Sequence, residues 1–417
     1  MSLIDPKSLS LTNVEPERHR KGALAMHPYF GKLDPALART LIEAFSEQGN
    51  VVLDPFCGSG TVLHEALLVG RSVTGWDSSP LATMLATAKV MGITPTEREQ
   101  LLAIKQEVSI YGSQSPLFQK ILTDQYEIPL MPRVHDITSW FEPNALTELA
   151  FLRDYLNQKS SQISLGASIL AKTAFSKIII ASSNQQGEST YRRVKKENYP
   201  GKVMDLFICA LQKIIKLANE FNILMEKTAS VSSRLLSVDR GNFKVSWDSL
   251  QMNIMAKDTR VLDNIYQSDV DLVVTSPPYL MSWDYGLYHK FRFYWLGYDL
   301  DSYEETEIGR HLRRKKDDVE RYFLDMKGAF ESISQLMKSK SRIVLINAPS
   351  VVYGKEVDTN AILAEAANCS NWNLLACIPS LDIPGPHHGM YASLDSRKAS
   401  APGSRGKKEH ILVFERN

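Results

Sequence analysis

The sequence predicts an α/β fold built on a doubly wound parallel sheet. Strand-like and helical segments alternate between residues 33 and 92, and strand-like runs return in the C-terminal half. Such alternation is typical of a parallel sheet that carries helices on both faces. At 417 residues, the chain is long enough for one large α/β domain or for two to three smaller ones.

The alternating elements begin close to the N-terminus. "LDPALARTLIEAF" (33–45) has apolar residues at helical spacing and an Asp-Pro pair at its start. "NVVLDPFCGSGTVLHEALLVG" (50–70) predicts a short strand, a glycine-rich turn and an amphipathic helix. "RSVTGWDSS" (71–79) predicts a strand that stops at an acidic residue, and "PLATMLATAKVMG" (80–92) predicts the next helix. We assign residues 1–96 to one half of an α/β domain.

The middle of the chain, residues 97–235, is mostly helical in its hydrophobic period. A polar span at 182–201 interrupts this pattern. Strand signals then return at "VDLVVTS" (270–276), "SRIVLINAP" (341–349), "NLLACIP" (373–379) and "KKEHILVFER" (407–416). We therefore expect a mainly helical insertion between two halves of one sheet, with residues 236–417 forming the second half.

Composition and charge place few limits on function. The net charge of +1 argues neither for nor against a polyanionic partner. No stretch reaches the roughly 18 uninterrupted apolar residues of a membrane helix, and the N-terminal segment lacks the apolar centre of a signal peptide. The four cysteines lie far apart without a C-x-x-C pair, which indicates neither a disulfide framework nor a zinc site. We expect a cytoplasmic protein without a membrane or metal partner.

The glycine-rich turn "LDPFCGSGT" (53–61) follows a strand and opens a helix, the context in which such a turn binds ligands. Gly58 and Gly60 allow a ligand to approach the backbone. Asp54 suits a cationic group such as the amino group of an amino acid, and Asp77 ends the next strand, where nucleotide-binding folds place a carboxylate for ribose hydroxyls. Together they predict S-adenosylmethionine as ligand. The alternative is that Asp54 caps a helix and the glycines only form a turn.

A second motif, "VDLVVTSPPYL" (270–280), ends a buried strand with two successive prolines. Proline cannot donate to a β-ladder, so the strand must stop at Thr275 or Ser276. The result is a rigid turn with an aromatic residue behind it. In an arbitrary protein this would be a strand-ending turn with a buried tyrosine, and its place after the glycine-rich turn favours a functional role.

Both motifs resemble those of S-adenosylmethionine-dependent DNA amino-methyltransferases, which modify N4 of cytosine or N6 of adenine. "DPFCGSGT" resembles their cofactor loop and "TSPPY" their catalytic motif. "HPYFGKLDPALARTLIEAF" (27–45) is similar to the segment that closes over the methionine part of the cofactor, and "AKDTRVL" (256–262) resembles the segment with an adenine-contacting Asp. The resemblance covers residues 27–92 and 256–300 and implies a Rossmann-like methyltransferase sheet. In many enzymes with this catalytic motif the two halves come in the opposite order.

The resemblance implies two sets of site residues. The cofactor-binding set is His27, Tyr29, Asp54, Phe56, Gly58, Gly60, Thr61, Asp77 and Asp258. The catalytic set is Ser276, Pro277, Pro278 and Tyr279. Two members keep an alternative: His27 can equally be a helix-entry residue, and Asp258 can be a plain surface carboxylate.

The chemistry of amine methylation explains the Ser-Pro-Pro-Tyr turn. An exocyclic base amine is a poor nucleophile because its lone pair is delocalised into the ring. The Ser276 hydroxyl and the Pro277 carbonyl can accept hydrogen bonds from its N–H groups, and prolines present no competing N–H. Tyr279 offers a flat face for a flipped-out base. Residues 283–285, including Trp283, follow the motif and are expected to shape the base pocket. The chain lacks the Pro-Cys dipeptide of C5-cytosine methylation.

Basic residues in the insertion predict contact with double-stranded DNA. Arg192, Arg193, Lys195 and Lys196 lie in "YRRVKK" (191–196), and a second cluster, "GRHLRRKK", spans 309–316. Solvated helix faces are the alternative. The expected function is site-specific DNA methylation with base flipping, N4-cytosine favoured over N6-adenine, alongside a cognate restriction endonuclease or defence-system partner. The rival hypotheses are an RNA base-amine methyltransferase and a non-catalytic nucleic-acid-binding protein that retains the fold.

Overall fold

A nine-stranded mixed sheet forms the centre of the protein in the computed structural model. The structure describes residues 5–11, 14–15, 22–113, 127–188, 190–229, 233–239, 242–248, 250–261, 270–281, 284–310, 317–380 and 409–416. The strands are β1 (Val51–Asp54), β2 (Ser72–Asp77), β3 (Gln185–Gly187), β4 (Thr190–Arg193), β5 (Arg234–Asp239), β6 (Asn242–Trp247), β7 (Leu250–Ala256), β8 (Val270–Thr275), β9 (Met337–Asn347), β10 (Ser350–Val352), β11 (Lys355–Val357), β12 (Trp372–Pro379) and β13 (His410–Arg416).

Helices cover the sheet and form most of the insertion. They are α1 (Pro35–Phe45), α2 (Thr61–Leu68), α3 (Pro80–Val90), α4 (Pro95–Ser113), α5 (Pro143–Lys159), α6 (Leu165–Ser182), α7 (Lys202–Ala229), α8 (Tyr285–Leu296), α9 (Leu300–Thr306), α10 (Asp318–Ser334) and α11 (Thr359–Asn368). Short 3-10 helices lie at Pro6–Ser8, Ala23–Ala25 and Ile137–Ser139. The predicted helix boundaries near the N-terminus are confirmed; for example, Asp34 caps α1 by accepting a hydrogen bond from the Leu37 N–H at 3.1 Å.

The strand order of the large sheet is β12-β13-β9-β8-β1-β2-β7-β6-β5. Its five central strands, β9, β8, β1, β2 and β7, run parallel to one another. Antiparallel pairs flank them: β13 and β12 on one side, β6 and β5 on the other. The predicted Rossmann-like α/β fold is therefore confirmed, and both halves of the chain contribute to one sheet.

The parallel strands β1, β2 and β8 determine where a site can form. They end at Asp54, Asp77 and Thr275, as the sequence predicts. Because parallel strands have their carboxyl ends at the same edge, the turns that follow all three meet there. In open α/β sheets this edge is where ligands bind.

The strands β5, β6 and β7 were not predicted. They form an antiparallel meander that extends the sheet beyond β2. Their sequences lack the continuous apolar runs of the central strands because β5 and β6 are only partly covered; Leu235 is 77% exposed. The first of them begins at Arg234, inside the segment that was predicted to be helical.

The insertion packs on the sheet domain through α7. The Asn222 side-chain amide accepts a hydrogen bond from the Ile93 N–H at 3.0 Å and donates one to the Ile93 carbonyl at 2.5 Å. Buried side chains of α3 and α7 belong to one hydrophobic core. The polar span predicted at 182–201 contains the small β3–β4 hairpin. The division of the chain at residues 96 and 235 stays a prediction.

Helix α6 is apolar and long enough to cross a membrane by length and composition. However, 72% of its 18-residue window is buried inside the protein. Its apolar side chains, such as Ile169, Leu170 and Ile179, lie in the hydrophobic core. We therefore interpret α6 as a core helix.

We expect Asn222→Ala to lower the free energy of unfolding by roughly 1–3 kcal/mol, because it leaves the Ile93 backbone groups without their partner. Asn219→Ala, on an exposed position of the same helix, serves as the matched control and should leave stability nearly unchanged. Urea unfolding of both variants measures the difference. Equal effects would show that the amide does not link α7 to the sheet domain.

Candidate active site

A cleft with about 630 Å³ of open space lies at the carboxyl edge of β1, β2 and β8. A recess of about 330 Å³ adjoins it, and the two share Tyr29, Gly31, Phe56, Gly58 and Ser276. Asp77 and Asp258 belong to the wall of the cleft, whereas Asp54 and Thr61 belong to the recess. Most of the predicted cofactor residues and two of the catalytic motif, Ser276 and Pro278, are thus brought together.

Asp54 joins the cofactor turn to the catalytic strand. Its Oδ1 accepts hydrogen bonds from the Thr275 hydroxyl at 2.6 Å and from the Phe56 N–H at 3.2 Å. Burial raises the pKa of Asp54 to about 7, although both hydrogen bonds act in the opposite direction. The carboxyl group is therefore partly protonated at neutral pH, and a cationic ligand in the recess would favour its charged form.

Asp77 connects the end of β2 to the glycine-rich turn. Its two oxygens accept hydrogen bonds from the Gly58 N–H at 2.9 Å and the Ser79 N–H at 2.8 Å. Burial raises the pKa of Asp77 to about 6, against the effect of these two bonds. Gly58 has φ +49°, and a Cβ there would lie 3.3 Å from the Tyr29 ring. A side chain at residue 58 would therefore occupy space between the turn and the tyrosine.

Gly60 has a different role from Gly58. It adopts φ +84° as the N-cap of α2, and a Cβ there would lie 3.0 Å from the Cα of Ala86 in α3. This glycine permits the turn and the close approach of two helices, and it lies behind the ligand space. A cofactor contact of Gly60 stays a prediction, while Gly58 lines the cleft.

Tyr29 closes one side of the cleft by stacking on α8. Its ring lies 6.0 Å from the Tyr285 ring and 5.1 Å from the His289 ring, at interplanar angles of 22° and 20°. His27 lies outside the cleft: it is 1% exposed, with Nδ1 2.6 Å from the Pro28 carbonyl oxygen and Nε2 3.0 Å from the Ser176 hydroxyl. The ring holds this segment against α6, and the cofactor contact of His27 stays a prediction.

Asp258 lies in the cleft wall, where its carboxylate is paired with Arg260. The Arg260 Nε lies 2.9 Å from Oδ1, and Nη2 lies 2.6 Å from Oδ2. Arg260 also contacts Asp325 at 2.6 Å, which anchors the pair to α10. A carboxylate oxygen can accept a further hydrogen bond, so contact with an adenine amino group stays a prediction.

The Ser-Pro-Pro-Tyr turn is held from several sides. Ser276 and Pro278 line the cleft, and Pro277 is buried beneath them. The Tyr322 hydroxyl of α10 donates to the Pro278 carbonyl at 3.0 Å. Tyr279 is partly exposed, and its hydroxyl donates to Glu409 Oε1 at 3.0 Å. These contacts hold the turn in place.

Several cleft residues had no recognisable signal in the sequence. Glu307 is 6% exposed; its Oε1 accepts the Tyr285 N–H at 2.6 Å. Burial, reinforced by the charge of Asp284, raises the pKa of Glu307 to about 8. Tyr303 and Thr259 also line the cleft. Glu307 and Tyr303 belong to no quoted motif, because their approach to the cleft depends on the tertiary fold, whereas Thr259 follows Asp258 within the segment 256–262.

The basic residues of the β3–β4 region have unequal surroundings. Arg192, Arg193 and Lys195 are exposed, and the Arg193 guanidinium lies 5.6 Å from the centre of the Trp140 ring. Lys196 is partly buried and donates to the Ile180 carbonyl at 2.9 Å, near the end of α6. This ammonium binds a carbonyl near the end of the helix, and its DNA contact stays a prediction. Trp283 and residues 311–316 of the second basic cluster lie outside the described residues.

Comparison with known proteins shows similarity to DNA methylases. A family model described as DNA methylase, of the N6/N4 type, matches residues 7–87. The chain is 26% identical over 310 residues to the Type II methyltransferase M.MvaI of Kocuria varians, a stretch that covers 72% of this chain and 61% of that protein. The chain spans about three fifths of the length of this relative.

Two further relatives from Methanocaldococcus jannaschii are similar over shorter stretches. The Type II methyltransferase M.MjaII is 34% identical over 80 residues, 19% of this chain and 14% of that protein. A tRNA (guanine(10)-N2)-dimethyltransferase is 41% identical over 64 residues, 15% of this chain and 18% of that protein. Both similarities cover a small part of this chain.

The match to a DNA methylase family model implies S-adenosylmethionine as cofactor, and the residues of the cleft fit it. Asp54 in the recess is a carboxyl group suited to an ammonium, and Asp77 is a hydrogen-bond acceptor suited to ribose hydroxyls. Gly58 keeps the space between the turn and Tyr29 free of a side chain. The donor set and the shape of the site are therefore both compatible with a nucleoside that carries an amino-acid tail.

We expect Asp54→Asn to raise the free energy of unfolding more at pH 8 than at pH 5. The pKa of Asp54 is about 7 in the folded protein, above its ordinary value, so protonation stabilises the folded state and this stabilisation is lost as the pH rises through about 7. The difference between the two pH values should be roughly 2–3 kcal/mol. Asparagine retains an oxygen for Thr275 and carries no charge.

Urea unfolding of the wild type and variant at both pH values provides the measurement. Glu356→Gln, at an exposed position of β11, is the control. Its free energy of unfolding should differ from that of the wild type by the same small amount at both pH values. If Asp54→Asn changed stability equally at pH 5 and pH 8, the carboxyl group would already be ionised across this range.

Proposed function

We propose that the protein is a site-specific DNA methyltransferase that moves a methyl group from S-adenosylmethionine to an exocyclic base amine, with N4-cytosine favoured over N6-adenine. One observation carries this proposal. The ends of β1, β2 and β8 place Asp54, Asp77 and the Ser-Pro-Pro-Tyr turn around a single cleft. A methyl donor and a nucleophilic amine could be held there side by side.

The cofactor half of the cleft binds and orients the donor. S-adenosylmethionine, when bound, supplies an electrophilic methyl group on a positively charged sulfur. Asp54 would receive the ammonium group in the recess, and Asp77 would accept hydrogen bonds from the ribose. Tyr29 and Phe56 would flank the cofactor with apolar surface, and Asp258 would be available to the adenine. Alignment of the two reactants contributes much of the acceleration.

The catalytic half activates the amine. Ser276 Oγ and the Pro277 carbonyl accept hydrogen bonds from the two amine N–H groups, which draws the nitrogen towards a tetrahedral geometry. Fixed acceptors stabilise the charge that develops there without reorganising. The Tyr322 bond to the Pro278 carbonyl supports this rigidity. Stacking of Tyr279 on a flipped-out base stays a prediction, and the partly exposed ring is compatible with it.

The preference for N4-cytosine and the biological context rest on resemblance. The Ser-Pro-Pro-Tyr motif favours N4-cytosine modestly. The relatives M.MvaI and M.MjaII are named Type II methyltransferases, so we place this protein in a restriction-modification setting, with double-stranded DNA as substrate and a cognate endonuclease or defence-system partner. The cytoplasm, without a membrane partner, is the location that this function requires.

A second candidate is methylation of an RNA base amine. The local 41% identity to a tRNA (guanine(10)-N2)-dimethyltransferase favours it over 64 residues. The longer similarity to M.MvaI, over 310 residues, favours DNA. A non-catalytic role is the weakest candidate, because Asp54, Asp77 and both prolines are retained at the cleft or directly beneath it.

We expect the purified protein to transfer radiolabelled methyl groups to double-stranded DNA and not to tRNA. Ser276→Ala should lower the rate roughly 10²–10³-fold, because it removes one acceptor from the amine. Ser161→Ala, at an exposed position between α5 and α6, is the matched control. Methylation-sensitive sequencing of DNA from expressing cells then identifies the modified base and the target sequence. Labelling of tRNA alone would establish the RNA alternative.

We expect Arg192→Ala/Arg193→Ala to weaken DNA binding and to reduce its dependence on salt. When the logarithm of the DNA affinity is plotted against the logarithm of the salt concentration, each arginine that neutralises a phosphate adds about 0.9 to the magnitude of the slope. Lys338→Ala/Lys340→Ala serves as the control, because these lysines begin β9 at the opposite edge of the sheet. Fluorescence anisotropy across a salt series gives both slopes. If neither the DNA affinity nor its salt dependence changed, Arg192 and Arg193 would be solvated surface residues that do not contact DNA.

A further inference from the structure

Ser276, Tyr279 and Glu409 form a continuous line of hydrogen-bonding groups that leads out of the cleft. The Ser276 hydroxyl lies 3.5 Å from the Tyr279 hydroxyl and is placed to donate to it. The Tyr279 hydroxyl in turn donates to Glu409 Oε1 at 3.0 Å. Ser276 begins this line inside the cleft, where it would touch the substrate amine.

Glu409 reaches this position through the topology of the sheet. It lies directly before β13, which is antiparallel to β9, and His410 pairs with Asn347 at the carboxyl end of β9. Strand β9 is parallel to β8, so the start of β13 and the end of β8 lie at the same edge. The Ser380 N–H donates to the Glu409 carbonyl at 2.9 Å and extends the β12–β13 pairing up to this residue. The sheet therefore holds the Glu409 backbone beside the catalytic turn.

A carboxylate can only accept hydrogen bonds, and this determines which group donates at each step of the line. Ionised Glu409 can accept from Tyr279 but cannot donate to it. The Tyr279 hydroxyl hydrogen is committed to Glu409, so its oxygen accepts from Ser276. The Ser276 hydroxyl hydrogen is then committed as well, which leaves the lone pairs of Ser276 Oγ for the substrate. An acceptor at this point is what an amine N–H requires.

Tyr279 remains a neutral phenol within the line. Burial, followed by the negative charge of Glu409, raises the pKa of Tyr279 well above its ordinary value. A phenol, unlike a tyrosinate, has both a hydrogen to donate and an oxygen that accepts. The 3.5 Å separation between Ser276 and Tyr279 is long for two hydroxyl groups, and catalytic hydrogen bonds commonly shorten when the substrate binds.

We propose that Ser276, Tyr279 and Glu409 are a proton relay that removes the proton released by the methylated amine and delivers it to the Glu409 carboxylate. This inference rests on the proposed function, since it assigns a proton path to the same site. Glu409 acts through two hydroxyl groups and does not touch the substrate. Its role is to orient the Ser276 hydroxyl before the reaction and to receive the proton during it.

The step balances in atoms and charge. The amine nitrogen forms a bond to the methyl carbon as the carbon–sulfur bond breaks and leaves its electron pair on sulfur. As this bond forms, the nitrogen gains positive charge and loses one proton to Ser276 Oγ. Ser276 passes its own proton to Tyr279, and Tyr279 passes its proton to Glu409, which becomes a neutral carboxylic acid. Release of this proton to solvent restores the carboxylate.

Glu307 is another carboxyl group of the cleft, and the geometry favours Glu409 over it. Glu307 lines the cleft, but its Oε1 is engaged by the Tyr285 N–H. Burial raises its pKa to about 8, so it ionises less readily than an exposed carboxyl group. Glu409 is connected to Ser276 by two successive contacts.

The test compares Glu409→Gln, Tyr279→Phe and their combination in single-turnover methyl transfer to a DNA duplex that carries the target site. Glutamine still accepts a hydrogen bond from Tyr279 but cannot take its proton, and phenylalanine keeps the aromatic ring but interrupts the relay. We expect each single variant to lower the rate constant of methyl transfer about 100-fold, as for a lost proton-transfer step. The double variant should be no slower than either single one, because both interrupt the same path.

Three further readouts separate a relay from a structural role. Dissociation constants for S-adenosylmethionine and DNA should stay within about twofold of the wild type, because the relay acts on the chemical step. The thermal unfolding midpoint should also be retained. The wild-type rate should fall in D₂O, and both single variants should lose this solvent isotope effect. Glu409→Ser would also shorten the side chain, so the comparison uses glutamine, which has nearly the same shape as glutamate.

Each remaining outcome counts against a defined part of the proposal. A folded Glu409→Gln protein with the wild-type rate would overturn the relay. The relay would also be overturned if the rate losses of the two single variants added up in the double variant. A solvent isotope effect that persisted in the single variants would have the same consequence. A wild-type protein that transfers no methyl group to DNA would instead overturn the proposed function, and the relay with it.

Discussion

The hydrogen bond between Thr275 and Asp54 joins the two strands on which the whole site depends. At 2.6 Å, it connects the last residue of β8 to the last residue of β1. One strand leads into the Ser-Pro-Pro-Tyr turn and the other into the glycine-rich turn. Because this contact is buried and short, the distance between the two turns is fixed by the sheet and does not depend on flexible loops. The separation between the glycine-rich turn and the Ser-Pro-Pro-Tyr turn follows directly from it.

The electrostatics of the cleft match a ligand with positive charge. Burial raises the pKa of Asp54 to about 7, of Asp77 to about 6 and of Glu307 to about 8. Three carboxyl groups that are costly to ionise in the empty protein surround the space where a sulfonium and an ammonium would lie. A cationic ligand offsets part of that cost, so binding and ionisation favour each other.

Sequence patterns predicted the parts of the fold that local chemistry determines. Asp34 as a helix cap, Asp77 at the end of a strand and the prolines after Thr275 each impose a local rule, and the structure follows all three. The meander of β5 to β7 was missed because half-exposed strands do not form apolar runs. Glu409 and Tyr322 were missed for another reason: their contacts with the turn cross more than forty residues of chain and leave no local pattern.

The order of strands in the sheet also constrains how the protein can fold. Strand β8 lies between β1 and β9, and its bond to Asp54 spans 221 positions along the chain. During synthesis, β1 and β2 can pair early, whereas one edge of β1 must wait until β8 has been made. Closing such a long loop is slow, because its entropic cost precedes the contacts that compensate for it. We therefore expect the cleft to be among the last parts of the molecule to form, and the unpaired edge of β1 to be the place where a nascent chain is most exposed to misassembly.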